Sequence, residues 1–315
     1  MVDSDLNEIE ILRPDLVDLE DSEELQPDLE DKSPETKREL VGQEALSAIE
    51  ATVRLKNEPG KVVSFVGPVG VGKTTLISSL YDIFCKSNNL SMSFGGSDTL
   101  YAFEKLCHHS RVTSRGNDIS TPRTSSMSDV QFYHLSLASP HKKMNIFLAD
   151  RSGEDYSSMV DDISLVNRYG EISRSDLVCV LADAEKLSTP TTRHVARLHL
   201  QNLLFSMFES KILDLNANCV ILLTKFDLIS EKGKEELCLK EVKKAIHHVA
   251  TITSAQIDIL PVAAKALSYT TEGGGESNIN KLWEKISSCC LTKKKVDVPK
   301  GNSNRSFHRM EVVYG

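Results

Sequence analysis

The sequence predicts an α/β fold: a mixed, mostly parallel sheet of six strands with helices on both faces. Short apolar runs rich in Val, Ile and Leu alternate along the chain with longer segments of helical periodicity. This alternation is typical of parallel strands joined by helices that cover the sheet. One pair of apolar runs is separated by only a few residues around Pro140-His141, which indicates a hairpin. The hairpin gives the sheet one antiparallel edge strand.

The elements follow in order along the chain. Strands are expected at 61–67, 130–138, 144–149, 176–182, 218–224 and 257–262. Helices are expected at 36–56, 73–86, 98–109, 191–209, 233–250 and 278–290. In the first helix, Ala45, Leu46, Ile49 and Val53 recur at the spacing of one helical face.

Charge distinguishes the ends of the chain from its middle. Residues 1–35 contain 14 acidic and 2 basic residues, which predicts a disordered, solubilising tail rather than a partner-binding arm. We expect a helix and linker at 36–60, the α/β domain at 61–291 and a C-terminal tail at 292–315. The α/β domain holds no long basic run, so no nucleic-acid partner is expected.

The cysteines and the apolar segments bear on the cellular location of the chain. Seven cysteines are scattered without a Cys-x-x-Cys pair, which disfavours zinc. Their odd number and an acidic start without an apolar leader predict a cytoplasmic location. No apolar run is long enough to span a bilayer. The lysines that follow Cys289-Cys290 are too few for a stable membrane anchor.

The strongest chemical signal is the segment GPVGVGKTT, which matches the phosphate-binding loop pattern G-x-x-x-x-G-K-[ST]. Its glycines let backbone N–H groups turn toward phosphates, and the helix that follows adds partial positive charge at its N-terminus. Lysine in this pattern reaches the β- and γ-phosphates, and the next hydroxyl binds Mg²⁺. The candidate nucleotide-binding residues are Gly67, Gly70, Gly72, Lys73, Thr74 and Thr75.

A second motif, Asp150-Arg151-Ser152-Gly153, follows the strand at 144–149. A carboxylate at the tip of a buried strand can hold Mg²⁺ through water, and a glycine three residues later can offer its N–H to the γ-phosphate. Such a motif alone is usually a turn, but its place downstream of the phosphate loop favours function. Asp150 is therefore a candidate metal ligand, and Gly153 a candidate catalytic residue.

A third motif, Thr224-Lys225-Phe226-Asp227, ends the strand at 218–224 and resembles the [NT]-K-x-D guanine reader of GTPases. The Asp227 carboxylate can accept hydrogen bonds from both N1–H and N2–H₂ of guanine. Adenine lacks these donors and would leave the carboxylate unpaired, which is costly. The Lys225 stem can lie along the face of the base.

A fourth segment, Ala263-Ala264-Lys265, resembles the Ser-Ala-Lys loop whose backbone N–H contacts guanine O6. In this order the four motifs resemble the TRAFAC class of P-loop GTPases over about 61–291. Within that class, the stretches GKTTLISSLY, FGGSDTLYAFEKL and TPRT are similar to bacterial double-GTPase families of predicted conflict, or defence, operons.

The resemblance implies a switch protein that binds GTP and GDP with Mg²⁺ and hydrolyses GTP to GDP and phosphate. It also implies a defence or signalling role, with a protein effector or a second GTPase as partner. One alternative is a nucleotide-gated binding module with little or no hydrolysis. Another is an ATPase or small-molecule kinase, which the motif at 224–227 disfavours.

Two residues depart from the Ras-like pattern. Glu154 stands where Ras-like proteins place the Gln that orients water. Glu154 is therefore a candidate catalytic residue, as is Lys73. Val69 stands where Ras has a Gly that leaves room for an arginine finger. Both departures predict slow hydrolysis unless a partner assists.

The resemblance also implies a switch threonine ahead of the strand at 130–138. Thr124 is preferred because it is closer to the strand, and Thr121 is the alternative. The chosen threonine would act on Mg²⁺ and in catalysis. Arg111, Arg115 or Arg123 could supply an arginine in cis, the other interpretation being an ordinary basic loop.

Overall fold

The computed structural model describes residues 44–86, 93–115, 129–139, 142–250, 253, 257–263 and 277–291. All of them belong to one compact unit that spans residues 40–315. The tails predicted at 1–35 and 292–315 lie outside the described residues.

The described residues form one seven-stranded sheet in the order β2-β3-β4-β1-β5-β6-β7. The strands are β1 Gly60–Val66, β2 Ser93–Gly96, β3 Gln131–Ser139, β4 Lys142–Asp150, β5 Leu177–Asp183, β6 Cys219–Thr224 and β7 Asp258–Pro261. β1 pairs in parallel with β4 and β5, and β6 pairs in parallel with β5 and β7. β3 runs antiparallel to both β2 and β4. The predicted mixed α/β fold with one antiparallel edge is confirmed.

The strand count was wrong by one, because β2 was not predicted. Its four residues, Ser93–Gly96, include two glycines and are largely exposed, so they lack the alternation that marks a strand. Pairing with β3 creates this strand: Phe94 lies opposite Leu137, and the Ser93 hydroxyl donates to the Ala138 carbonyl over 3.0 Å.

The described helices are α1 Ala48–Asn57, α2 Lys73–Lys86, α3 Leu100–Arg115, α4 Gly153–Asp161, α5 Gly170–Arg174, α6 Ala184–Ser188, α7 Arg193–Glu209, α8 Phe226–Ser230, α9 Glu235–Ala250 and α10 Ser277–Leu291, with a 3-10 helix at Ile163–Arg168. The long helices lie within a few residues of their predicted bounds, except α1 and α3, whereas the short helices at the strand ends were not predicted. None of the described helices is both long and apolar enough to cross a membrane.

Helix α1 begins later than the predicted start at residue 36. Ser47 caps it in a capping box with Glu50, and Leu46 forms a β-bridge to Phe132, so residues 44–47 are not helical. The predicted apolar face is also wrong, since Ile49 is 78% exposed whereas Ala51 is buried. The Ser-x-x-Glu capping pattern was the signal that could have placed this helix start.

The sheet is buried on both faces, which leaves its strand ends as the place for polar groups. One core cluster includes Phe65, Leu76 and Trp283, beneath α2, α3 and α10. A second cluster on the other face includes Leu203 and Val242, beneath α4, α7 and α9. Parallel strands covered in this way direct their functional loops to the carboxyl edge of the sheet.

Candidate functional site

Three of the sequence motifs, together with Ala263 of the fourth, lie at the carboxyl edge of the sheet. Asp150 ends β4, Gly67 follows β1, Thr224 ends β6 and Ala263 follows β7. β4 and β1 are neighbours, as are β6 and β7, and only β5 separates the two pairs. Ligands of open parallel sheets bind in the crevice at this edge.

The loop between β1 and α2 adopts a backbone that requires glycine. Gly70 and Gly72 have φ values of +73° and +97°, which disfavour any side chain. A Cβ on Gly67 would lie 2.9 Å from the Leu181 carbonyl oxygen of β5. These constraints explain the glycines at these positions of the predicted phosphate loop.

Lys73, the first residue of α2, lies inside this loop with 7% of its surface exposed. Its Nζ donates to the carbonyl oxygens of Gly67 over 2.8 Å and Pro68 over 3.3 Å. Burial lowers the pKa of Lys73 to about 8, while the Asp150 charge acts in the opposite direction. An anion bound here would meet a buried cation whose present partners are neutral carbonyl groups.

Thr74 and Asp150 form the candidate metal site. The Thr74 hydroxyl donates to Asp150 Oδ2 over 2.7 Å. Asp150 is 1% exposed, and burial raises the pKa of its carboxyl group. Its other oxygen, Oδ1, is buried and has no hydrogen-bond partner among the described residues. A hydroxyl beside a carboxylate with a spare buried oxygen fits Mg²⁺, which prefers oxygen ligands.

Gly153 packs directly on the phosphate loop. A Cβ at this position would come within 2.3 Å of the Val69 nitrogen and 2.5 Å of the Pro68 carbonyl carbon. Those atoms are backbone, so no side chain fits without moving the loop. Gly153 also starts α4, whose N-cap Ser152 accepts from the Glu154 N–H over 3.3 Å. The structure thus brings both ends of the Asp150–Gly153 motif beside the phosphate loop.

Glu154 lies in the first turn of α4 with an exposed side chain. Val69 is partly exposed, at 37%. Thr121, Thr124 and Arg123 lie outside the described residues. The backbone of Arg111 and Arg115 belongs to α3, but their side chains are not described.

The candidate base-reading motif, residues 224–227, lies at the end of β6. Lys225 has a left-handed backbone, with φ +57°, and its Nζ donates to Asp183 Oδ2 over 2.6 Å. Thr224 is buried and donates to the Ala182 carbonyl over 3.3 Å. Asp227 is half-buried in the first turn of α8, and its pKa is raised chiefly by burial.

The loop after β7 joins the same region. The Val262 N–H donates to the Leu223 carbonyl over 2.8 Å, and the Phe226 N–H donates to the Val262 carbonyl over 3.4 Å. Ala263 therefore follows a segment that is hydrogen-bonded to the candidate base-reading motif. Ala264 and Lys265 lie outside the described residues.

Two side chains at this edge were missed in the sequence. Asp183 holds Lys225 and also accepts from the Lys186 N–H over 3.1 Å. Arg151, inside the second motif, makes a buried ion pair with Glu171 over 2.7 Å. Arg151 could have been noticed for its position, but no sequence pattern identifies a partner twenty residues away.

Comparisons with known proteins give one family. The model of the Double-GTPase 2 family matches residues 61–278. No curated protein matches the chain. One similar solved structure is the signal recognition particle receptor SRb-GTP/SRX complex from Chaetomium thermophilum, with 16% identity, 73% of this chain and 99% of that chain covered, and a TM-score of 0.41.

Proposed function

The chain belongs to the Double-GTPase 2 family, which confirms the predicted resemblance to double-GTPase families, and from this premise we propose that it is a slow, Mg²⁺-dependent GTPase switch. The family and the fold make it a GTP-binding P-loop protein. The observation that best supports the finer proposal is the arrangement of Lys73, Thr74 and Asp150, a buried cation beside a carboxylate with a spare oxygen.

Binding would proceed by exchange of partners. Lys73 would leave the carbonyl groups of Gly67 and Pro68 and donate to the β- and γ-phosphates. The N–H groups of the phosphate loop and the N-terminus of α2 would surround the β-phosphate. Thr74 and Asp150 would hold Mg²⁺, which neutralises charge on the phosphate oxygens. Gly153, packed on the loop, would offer its N–H to the γ-phosphate.

Base choice would depend on the other end of the sheet edge. Asp227 would accept two hydrogen bonds from guanine, and Lys225 would lie along the ring. Ala264 and Lys265 are proposed to approach guanine O6 through the backbone. Thr224 would fix the end of β6, which Lys225 and Asp227 follow.

We expect the chain alone to hydrolyse GTP slowly. Thr124, or Thr121 in its place, would complete the contact to Mg²⁺ and the γ-phosphate. Glu154 would face the γ-phosphate with a negative charge where a neutral amide orients water in Ras-like proteins. The Val69 side chain, which is 37% exposed, would narrow the entry for an arginine finger. A protein partner, either an effector or a second GTPase in a bacterial defence or signalling system, would then accelerate or read the switch in the cytoplasm.

A non-hydrolysing, nucleotide-gated binding module is the second candidate. Two observations favour it: the exposed carboxylate of Glu154 and the bulk of Val69. In that case GTP would act on the proposed switch regions at 110–129 and 151–170 without being consumed.

Single-turnover phosphate release from GTP separates these candidates. We expect slow release from the wild type, none above background from Asp150→Ala, and an unchanged rate from Lys232→Ala, a surface ion-pair residue. Tight GTP binding without release by the wild type, alone and with partner proteins, would favour the binding module. Equal release from ATP would contradict the guanine assignment.

A further inference from the structure

We propose that Arg151 and Glu171 form a latch that positions the Asp150–Gly153 loop to recognise the third phosphate. The inference rests on the proposed function, because it concerns how that site distinguishes GTP from GDP. Arg151 lies in the chain between the two residues assigned to Mg²⁺ and the γ-phosphate. Its guanidinium nevertheless contacts residues 168–171 and, through Nη1 over 3.8 Å, the Asp155 carboxylate, and no group of the phosphate loop among the described contacts.

The pair has the geometry of a fixed anchor. Arg151 Nε donates to Glu171 Oε1 over 2.7 Å, and Nη2 donates to Glu171 Oε2 over 3.2 Å. Nη2 also donates to the Arg168 carbonyl over 3.0 Å, and the guanidinium lies 5.0 Å from the centre of the Tyr169 ring. Arg151 is 9% and Glu171 5% exposed. Such a two-pronged pair fixes orientation as well as distance.

Glu171 is itself tied to the strand that carries the phosphate loop. Its carbonyl oxygen accepts from the Ser64 hydroxyl over 3.2 Å and from the Ser175 hydroxyl over 2.7 Å. Ser64 belongs to β1, which ends at Val66 just before Gly67. Glu171 therefore links the loop after β4, through Arg151, to β1. The proposed phosphate loop follows the same strand.

Helix α4 is joined to the latch from the other side. The Tyr156 hydroxyl donates to Glu171 Oε1 over 3.5 Å, and the Tyr156 ring lies 5.7 Å from Lys73 Nζ. The Tyr169 hydroxyl donates to the Asp155 carbonyl over 2.5 Å. Since Asp155 and Tyr156 lie just beyond Gly153, the N–H of Gly153 is held from both directions.

A buried ion pair is not the obvious way to stabilise a core, because apolar residues of similar size often do as well or better. Its position between two phosphate-sensing residues favours a positioning role. A loop ordered in advance pays less conformational entropy when the ligand binds. GDP lacks the γ-phosphate to which the Gly153 N–H is proposed to donate, so loosening the loop should weaken GTP binding and spare GDP binding.

The test is a double-mutant cycle on the GTP-to-GDP affinity ratio, measured by calorimetry with Mg²⁺. We expect Arg151→Gln and Glu171→Gln each to lower the ratio roughly tenfold, a usual size for contacting residues, with GDP affinity little changed. The double variant should lose no more than either single one, and Arg151→Lys should recover only part. Arg197→Gln, which breaks an ion pair of 3.4 Å with Glu241 between α7 and α9, should leave the ratio unchanged.

The possible outcomes distinguish failure of the latch from failure of the proposed GTPase function. If the wild type binds neither nucleotide, the proposed function fails. If it binds both and the cycle leaves the ratio unchanged, the function stands and the latch is overturned. Thermal unfolding monitors the fold, and Glu171→Gln, which keeps its size, carries the test if Arg151→Gln does not fold. If both single variants unfold, the pair serves folding and the proposal is overturned.

Discussion

The two halves of the site are built differently. The phosphate half, meaning the loop at 67–75 with the segment at 150–154, buries its charges: Lys73 is 7% and Asp150 1% exposed. The base half, meaning the segment at 224–227 with the loop after β7, is more open, and the Lys225 side chain is 36% exposed. The lysine of each half donates hydrogen bonds within the protein. Lys73 donates to neutral carbonyl groups, and Lys225 donates to the Asp183 carboxylate.

Because of this difference, ligand binding should change the free energy differently in the two halves. In the phosphate half, burial already opposes the charges of Lys73 and Asp150, so an anion with a metal relieves an existing penalty. In the base half, the ligand must compete with a formed ion pair that water partly screens. We therefore expect the phosphate half to supply most of the affinity and the base half most of the selectivity.

The largest expected effect breaks the phosphate half. Lys73→Ala removes the only charge that the loop offers the β- and γ-phosphates, so GTP and GDP should both lose roughly 100-fold in affinity, since bonds to charged groups contribute about 1.5–3 kcal/mol each. Calorimetric titration measures both constants. Unchanged binding would place the phosphates elsewhere.

The next effect concerns the base half. Asp227→Asn replaces one acceptor of guanine by a donor, so the preference for GTP over XTP should fall by about 10- to 100-fold, because the C2 carbonyl of xanthine accepts from the new amide. Competition of GTP, XTP and ATP for a fluorescent nucleotide measures this. If GTP still outcompetes the others as before, Asp227 does not read the base.

The burial of Lys73 should also affect the stability of the ligand-free protein in a pH-dependent way. Lys73 has a pKa of about 8 in the folded chain, below its usual value of 10.5. Between these values the unfolded chain binds the proton and the folded chain does not, so stability rises with pH across this window. Lys73→Met should flatten the rise by up to about 3 kcal/mol. Urea unfolding near both ends of the window measures it, and equal slopes for the two proteins would contradict a buried, destabilised Lys73.

The smallest expected effect tests the rim of the phosphate half. Glu154→Gln removes a negative charge that is proposed to face the γ-phosphate, so single-turnover hydrolysis should stay equal or rise by a few fold, because the loose transition state needs little early deprotonation of water. A fall by an order of magnitude or more, as loss of a general base produces at about 10²–10⁴-fold, would make Glu154 catalytic and overturn the slow-switch account.

The same two halves show what the sequence could predict. Local patterns sufficed for α2, whose bounds at Lys73–Lys86 agree with the prediction, and for Asp150 at its strand end. They failed where a distant partner decides the structure. β2 exists through pairing with β3, and the bonds Arg151–Glu171 and Lys225–Asp183 join residues 20 and 42 positions apart. Periodicity and motif spacing carry no information about such pairs.

The central claim, a guanine-specific site whose phosphate half needs Mg²⁺, is tested most directly by titrating GTP, GDP and ATP into the wild type with Mg²⁺ and with a chelator. The account predicts that GTP binds better than ATP in both conditions. It also predicts that Mg²⁺ strengthens GTP more than GDP, and that Asp150→Ala removes this difference while leaving the preference for guanine. Equal affinity for GTP and ATP, or GTP binding indifferent to Mg²⁺, would contradict it.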